Sequence, residues 1–184
     1  MPDRRGILAT TAGVMADHGL SIRSAQAETR MGRALQELEV VLAEGAVEPN
    51  WGVIGVDLRA HLLDASERRP VRRFRPEGSA EVRIAAHSPG RWAVHISAPD
   101  AIGLLAAAAG WLADHGLNVE RAEIGGEFGW AFDTFIVSAD VSASQPGDGG
   151  RPRSVRNAGS GGLEGIEVVA ARRMTAFLSG HQPE

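Results

Sequence analysis

The sequence predicts an α+β fold of two tandem βαββαβ units, the first lacking its N-terminal strand, followed by a partly disordered tail. Two observations carry this expectation. The chain of 184 residues contains an internal repeat, in which residues 2–42 align without a gap on residues 99–139, an offset of 97. Within each copy, a stretch of helical periodicity leads into two stretches of strand alternation separated by a glycine turn. Asp3 meets Asp100, Gly6-Ile7-Leu8-Ala9 meets Gly103-Leu104-Leu105-Ala106, and Ala16-Asp17-His18-Gly19-Leu20 recurs unchanged as Ala113-Asp114-His115-Gly116-Leu117. The match keeps its spacing across a loop, so shared alanine-rich composition does not produce it.

The elements follow in order. The first helix ends at His18, and strands over 20–29 and 34–42 flank a turn at Gly32. A second helix is expected over 50–66, where Trp51, Ile54, Leu58, Leu62 and Leu63 recur at helical spacing after the start signal Glu48-Pro49-Asn50. Short strands are expected over 70–75 and 80–86. After the Ser88-Pro89-Gly90 turn, Trp92, Val94, Ile96 and Ala98 alternate as a strand. The next helix, over 103–115, aligns Leu104, Ala108, Trp111 and His115 on one stripe; Asp100 lies at N-cap distance and Gly116 where a left-handed cap belongs. A strand over 117–124, a turn through Gly125-Gly126 and Gly129, and a strand over 131–139 complete the second copy. In that last strand Asp133 falls on the face of Ala131, Phe135 and Val137. The Ser/Gly/Pro/Arg stretch over 142–162 cannot bury a core and is expected to be disordered. The apolar segment 165–178 is compatible with either helix or strand. The units are bounded at 2–76 and 91–141, with a linker and short strand over 77–90 and a tail over 142–184.

Composition removes several kinds of chemistry. There is no cysteine, so disulfides, thiol nucleophiles and Cys-ligated metals are excluded. All 19 basic residues are arginine, which excludes a Schiff-base lysine and the lysine of a phosphate-binding P-loop. A formal charge of −4 argues against a general nucleic-acid binder. The longest apolar run, 101–113, is shorter than the roughly 20 residues of a membrane span. Arg4-Arg5 followed by apolar residues has the outline of a secretory signal. Its recurrence inside the chain makes it a folded helix instead, and the expected location is cytoplasmic.

Strand, helix, strand, strand, helix, strand is the ferredoxin-like order. Pro-Asp-Arg-Arg-Gly-Ile-Leu-Ala followed by Ala-Asp-His-Gly-Leu-Ser-Ile, and the later run from Val94 to Asp100 leading to Phe132-Asp133-Thr134-Phe135-Ile136-Val137, resemble the ACT domain. The tandem arrangement is similar to the regulatory ACT repeats of the nitrogen-regulatory uridylyltransferase family, over residues 2–140. Two departures stand out: Arg5 replaces the loop proline of the first copy, and Asp100-Ala101-Ile102-Gly103 lacks both arginine and proline. No nucleotidyltransferase or phosphohydrolase motif occurs, so no catalytic residues and no cofactor are assigned.

The resemblance implies a regulatory module that binds a small amino acid, glutamine by analogy, at the loop before the first helix of each unit. A helix N-terminus suits the ligand carboxylate and strand carbonyls suit its ammonium. The candidate residues are Asp3, Arg4, Gly6 and Ser21 in the first copy and Asp100, Ile102, Gly103 and Asn118 in the second. The competing reading makes both aspartates plain N-caps and both glycines steric necessities. A homo-oligomer or a larger-protein context is expected, with no membrane or nucleic-acid partner; the alternative is a dimerisation or protein-interaction module without a ligand. His18 and His115 suit a helix C-terminal dipole. Arg68, Arg69, Arg72, Arg73 and Arg75 read as a solvated face, and Trp51, Trp92, Trp111 and Trp130 as core or interface residues. The missing first strand is expected to leave a slot between two neighbouring strands, since that strand is central in the ferredoxin-like order.

Overall fold

The computed structural model describes residues 3–42, 47–63, 74, 78–139 and 161–180. These residues form an α+β fold in the order α1 (Ile7–Asp17), β1 (Leu20–Arg30), β2 (Arg33–Leu42), α2 (Trp51–Leu63), β3 (Glu81–Ser88), β4 (Arg91–Pro99), α3 (Leu104–Asp114), β5 (Leu117–Glu127), β6 (Trp130–Ala139) and α4 (Gly161–Leu178). The strands make one six-stranded sheet, ordered β2-β1-β5-β6-β4-β3, with every pair antiparallel. Apart from Phe74, which packs half-buried against the core, the expected stretch 70–75, the arginine cluster and residues 142–160 of the expected disordered stretch lie outside the described residues.

The offset of 97 reappears in backbone detail. The helix α1 and the hairpin β1-β2 correspond, end for end, to α3 and the hairpin β5-β6. Each hairpin closes through two consecutive residues at positive φ, Met31-Gly32 (50° and 69°) and Phe128-Gly129 (52° and 76°), the pattern of a type I′ turn. A register irregularity falls at the same place in both, between Ile22 and Ser24 and between Val119 and Arg121. The amides of Asp3 and Asp100 donate to the turn carbonyls of Gly32 and Gly129.

Between the two halves, β1 and β5 pair about a local two-fold. Gln26 lies opposite its own counterpart Glu123, and Ala25 opposite Ile124, the counterpart of Ala27. This self-complementary pairing is the geometry of an isologous interface, formed inside one chain. On the covered face of the sheet, α1 packs against α3. Small residues permit the approach: Ala12, Ala106, Ala108 and Ala109 are all buried. The core gathers Leu8, Leu105, Leu112, Val94, Phe135 and Val137. Burying each large apolar side chain is worth about 1.5–3 kcal/mol; a second, smaller cluster of Val14, Met15, Leu20 and Ile54 joins α1 to α2. Apolar nearly all round, α3 is buried accordingly.

Several expectations are revised. The turn placed at Gly125-Gly126 belongs to β5, where Gly125 pairs with Phe132 and Gly126 with Ala131. Phe128 takes the left-handed turn position that a sequence reading assigns to glycine. Neither aspartate caps its helix: the N-caps are Gly6 and Gly103, at φ of 85° and 91°, with no side-chain cap bond. The segment 165–178 is helical as part of α4, which also takes in Gly161 and Gly162 of the stretch expected to be disordered. Met174 and Leu178 of α4 enter the core, and Ser179 Oγ accepts a hydrogen bond from the Ala80 amide. Among the described residues there is no slot beside β2, because β3, the strand that would bound it, pairs with β4 at the opposite end of the sheet. The outer edge of β2 carries no partner among the described residues, whereas its counterpart β6 pairs with β4 along residues 91–99. Of the four tryptophans, Trp111 is buried and Trp92 half-buried, while Trp51 and Trp130 are exposed.

Candidate functional site

Two clefts open where the halves meet, and they are related by the repeat. The first is formed by the loop and helix start at Asp100, Gly103 and Leu105, the strand residues Ile124 and Asp133, and Ile22 from the other half. The second uses Asp3, Gly6, Leu8, Ala27 and Gln36, closed by Val119. Each residue of one set is the counterpart of a residue in the other. Each cleft thus takes a helix N-terminus from one half and the start of a strand from its partner half.

Chemistry at these helix starts follows from the backbone. An α-helix leaves its first amides without intrahelical acceptors. With a left-handed glycine as N-cap and no side-chain cap, the amides at the second and third helical positions are left for a ligand or solvent. These are Leu105 and Ala106 in the first cleft and Leu8 and Ala9 in the second. Their partial positive charge favours an anion.

The side chains differ sharply between the clefts. In the second, Asp3 Oδ2 accepts from Thr29 Oγ1 at 2.6 Å and from Asn118 Nδ2 at 3.1 Å. That last bond crosses between the halves. Arg4 turns away and donates through Nη2 to the carbonyl of Leu62, at the end of α2. In the first cleft, Thr29 is replaced by Gly126 and Gln36 by Asp133, while the counterpart of Asn118, Ser21, does not line it. Asp133 is 2% exposed, on the helix-facing side of β6, and its Oδ1 has no hydrogen-bond partner. Burial pushes its carboxyl up to about 7, the nearby Asp100 carboxylate adds to the shift, and the Gly125 amide opposes it. Arg23 reaches this cleft from the other half, with its guanidinium 3.3 Å from Glu39.

Asp3, Arg4, Gly6 and Asn118 line the second cleft and Asp100 and Gly103 the first, so the expected residues fall into two places. Ser21 and Ile102 line neither. Sequence reading of the site passed over Asp133, although its signal was visible as one carboxylate on a strand face otherwise made of Ala131, Phe135 and Val137. His18 binds Asp57 of α2 through Nε2 at 2.8 Å, whereas His115 stacks on Trp111 at 3.7 Å and donates from Nδ1 to the Trp111 carbonyl. No group of three or more potential metal ligands occurs among the described residues. No described helix is long and apolar enough to cross a membrane. Comparison with protein-family models, with curated proteins and with solved structures gives no match.

Proposed function

We propose that this chain is a regulatory module of two tandem ferredoxin-like, ACT-type units that binds a small amino acid between its halves. The observation that carries the reading is the pair of repeat-related clefts, each joining uncapped helix amides of one half to strand residues of the other. An α-carboxylate suits those amides. A ligand held there touches both halves, so its binding favours one arrangement of β1 against β5 and of α1 against α3. Occupancy is thereby converted into a change at the pairing surface, and no bond of the ligand is altered. Glutamine is the first amino acid to test, on the resemblance to nitrogen-regulatory ACT repeats.

Thermal-shift and calorimetric titration against the twenty amino acids tests this. A ligand at 100 times its Kd stabilises the fold by about 2.7 kcal/mol. Absence of stabilisation by any amino acid at millimolar concentration would sink the reading.

One observation favours a second reading, an interaction module without a ligand. The outer edge of β2 is unpaired among the described residues, and Trp51, Val53, Val56 and Leu63 of the neighbouring helix α2 are exposed. An open strand edge beside exposed apolar residues invites strand addition, by a second copy or by another part of a larger protein. Concentration-dependent dimerisation in sedimentation, unaffected by amino acids, would favour this second reading over the first.

A further inference from the structure

We propose that only the cleft at Asp133 binds ligand, that it takes one molecule carrying a protonated primary amine, and that the cleft at Asp3, whose polar side chains are bonded to one another, does not. This rests on the amino-acid reading above and narrows it. The two clefts have the same backbone, so the side chains decide between them.

The polar groups at Asp3 are occupied. Thr29 and Asn118 both donate to its carboxylate, and Arg4 is held by Leu62. Glu28, the counterpart of Gly125, pairs with Arg30 at 2.8 Å. Gln36 replaces the buried carboxyl with a neutral amide. Nothing in this cleft requires a cation.

At Asp133 the situation is reversed. Glycines at 125 and 126 remove the side chains that stand on the floor of the other cleft, and the Asp133 carboxyl lies beneath with Oδ1 unpaired. The groups facing it are accounted for element by element. Asp100 comes from the loop before α3, Gly125 and Ile124 from β5, Ile96 from β4, Leu104 to Ala106 from α3, and Arg23 from β1. Arg23 is the one cation among them, and it is largely exposed and paired with Glu39. A buried carboxyl with one oxygen bonded only by the Gly125 amide and the other, Oδ1, unpaired is costly, either as an anion or as an unsatisfied acid. An ammonium group between Asp133 and Asp100 satisfies both. The same molecule's carboxylate then meets the Leu105 and Ala106 amides and Arg23, which makes the cleft complementary to a zwitterion.

Binding of the ammonium requires Asp133 to be ionised. Its elevated pKa means that binding below neutral pH releases a proton, and affinity rises between about pH 6 and 8.

The test is calorimetric titration of the full chain with each of the twenty amino acids and with the N-acetyl derivative of each one that binds. The expected result is one molecule per chain, with affinity reduced about tenfold or more by acetylation and by Asp133→Asn, which preserves side-chain volume. Asp133→Ser provides a second variant, and the melting transition of each verifies folding. Two molecules per chain, or affinity unchanged in both variants, overturns the proposal and leaves the amino-acid reading intact. Failure of every amino acid to bind the unmodified chain overturns both.

Discussion

At the start of α1 the polar side chains are bonded to one another, whereas at the start of α3 a buried carboxyl keeps one oxygen unpaired beside an open glycine floor. The backbones around them are repeats of each other, down to the turn residues and the strand irregularity. The repeated backbone thus preserves where a helix points its amides, while a few substitutions decide whether the polar groups of a cleft are bonded to one another or left for something else. Thr29 against Gly126, and Gln36 against Asp133, are the decisive pairs.

The comparison can be broken most forcefully through the core beneath the clefts. Phe135 is fully buried, whereas its counterpart Leu38 is only partly so. Phe135→Ala is expected to cost about 3–5 kcal/mol in urea unfolding. Leu38→Ala should cost less than half as much, because solvent already reaches that side of β2. Equal losses would mean that the halves share burial more evenly than the structure indicates.

Next in size is the pH dependence set by Asp133. Its folded pKa, about 7, lies above the unfolded value, so the folded state retains a proton that the unfolded state has already lost. The stabilisation from this group is fully present below about pH 4 and is lost as pH rises through 7. At its upper limit the shift corresponds to about 4 kcal/mol. Asp133→Asn should therefore flatten the fall in stability across that range, and Gln36→Leu in the other half should not. An unchanged pH profile in the Asp133 variant would remove the distinction between the clefts.

A finer test lies in the glycine floor. A Cβ at Gly126 would meet the Trp130 carbonyl oxygen at 2.4 Å, whereas at Gly125 nothing lies within 4 Å. Gly126→Ala is expected to destabilise by about 1–3 kcal/mol through backbone displacement. Gly125→Ala should be neutral or slightly stabilising through reduced freedom of the unfolded chain. The smallest effect is expected at the opposite helix end, where, among the described residues, only the first half joins its histidine to a carboxylate. The His18 and Asp57 side chains are 26% and 46% exposed, so Asp57→Ala should cost no more than about 1 kcal/mol. A larger loss would identify this contact as the principal attachment of α2.

Much of the fold was legible because the repeat reports the same local physics twice. The alternation over 131–139 and the stripe through Leu104, Ala108 and Trp111 correspond to β6 and the buried α3. Asp3 and Asp100 illustrate the limit, because a carboxylate ahead of a helix reads as an N-cap and only the left-handed glycines at 6 and 103 show that neither is one. Gly125-Gly126 reads as a turn because glycine usually marks one; the tight Met31-Gly32 and Phe128-Gly129 turns place it within a strand. Asn118 was legible as a candidate, but its bond to Asp3 spans 115 residues and has no local signature.

By itself the sequence determined the repeated helix-strand-strand order and the absence of cysteine and lysine side chains. Those properties depend on periodicity and residue type within a short span. Tertiary structure decided that the two copies share a single sheet through β1 and β5, that β3 joins the far edge, and that Asp133 is buried with its Oδ1 unpaired. The reason is physical: pairing between distant strands and desolvation of a carboxyl depend on what lies opposite in space. A one-dimensional pattern contains neither.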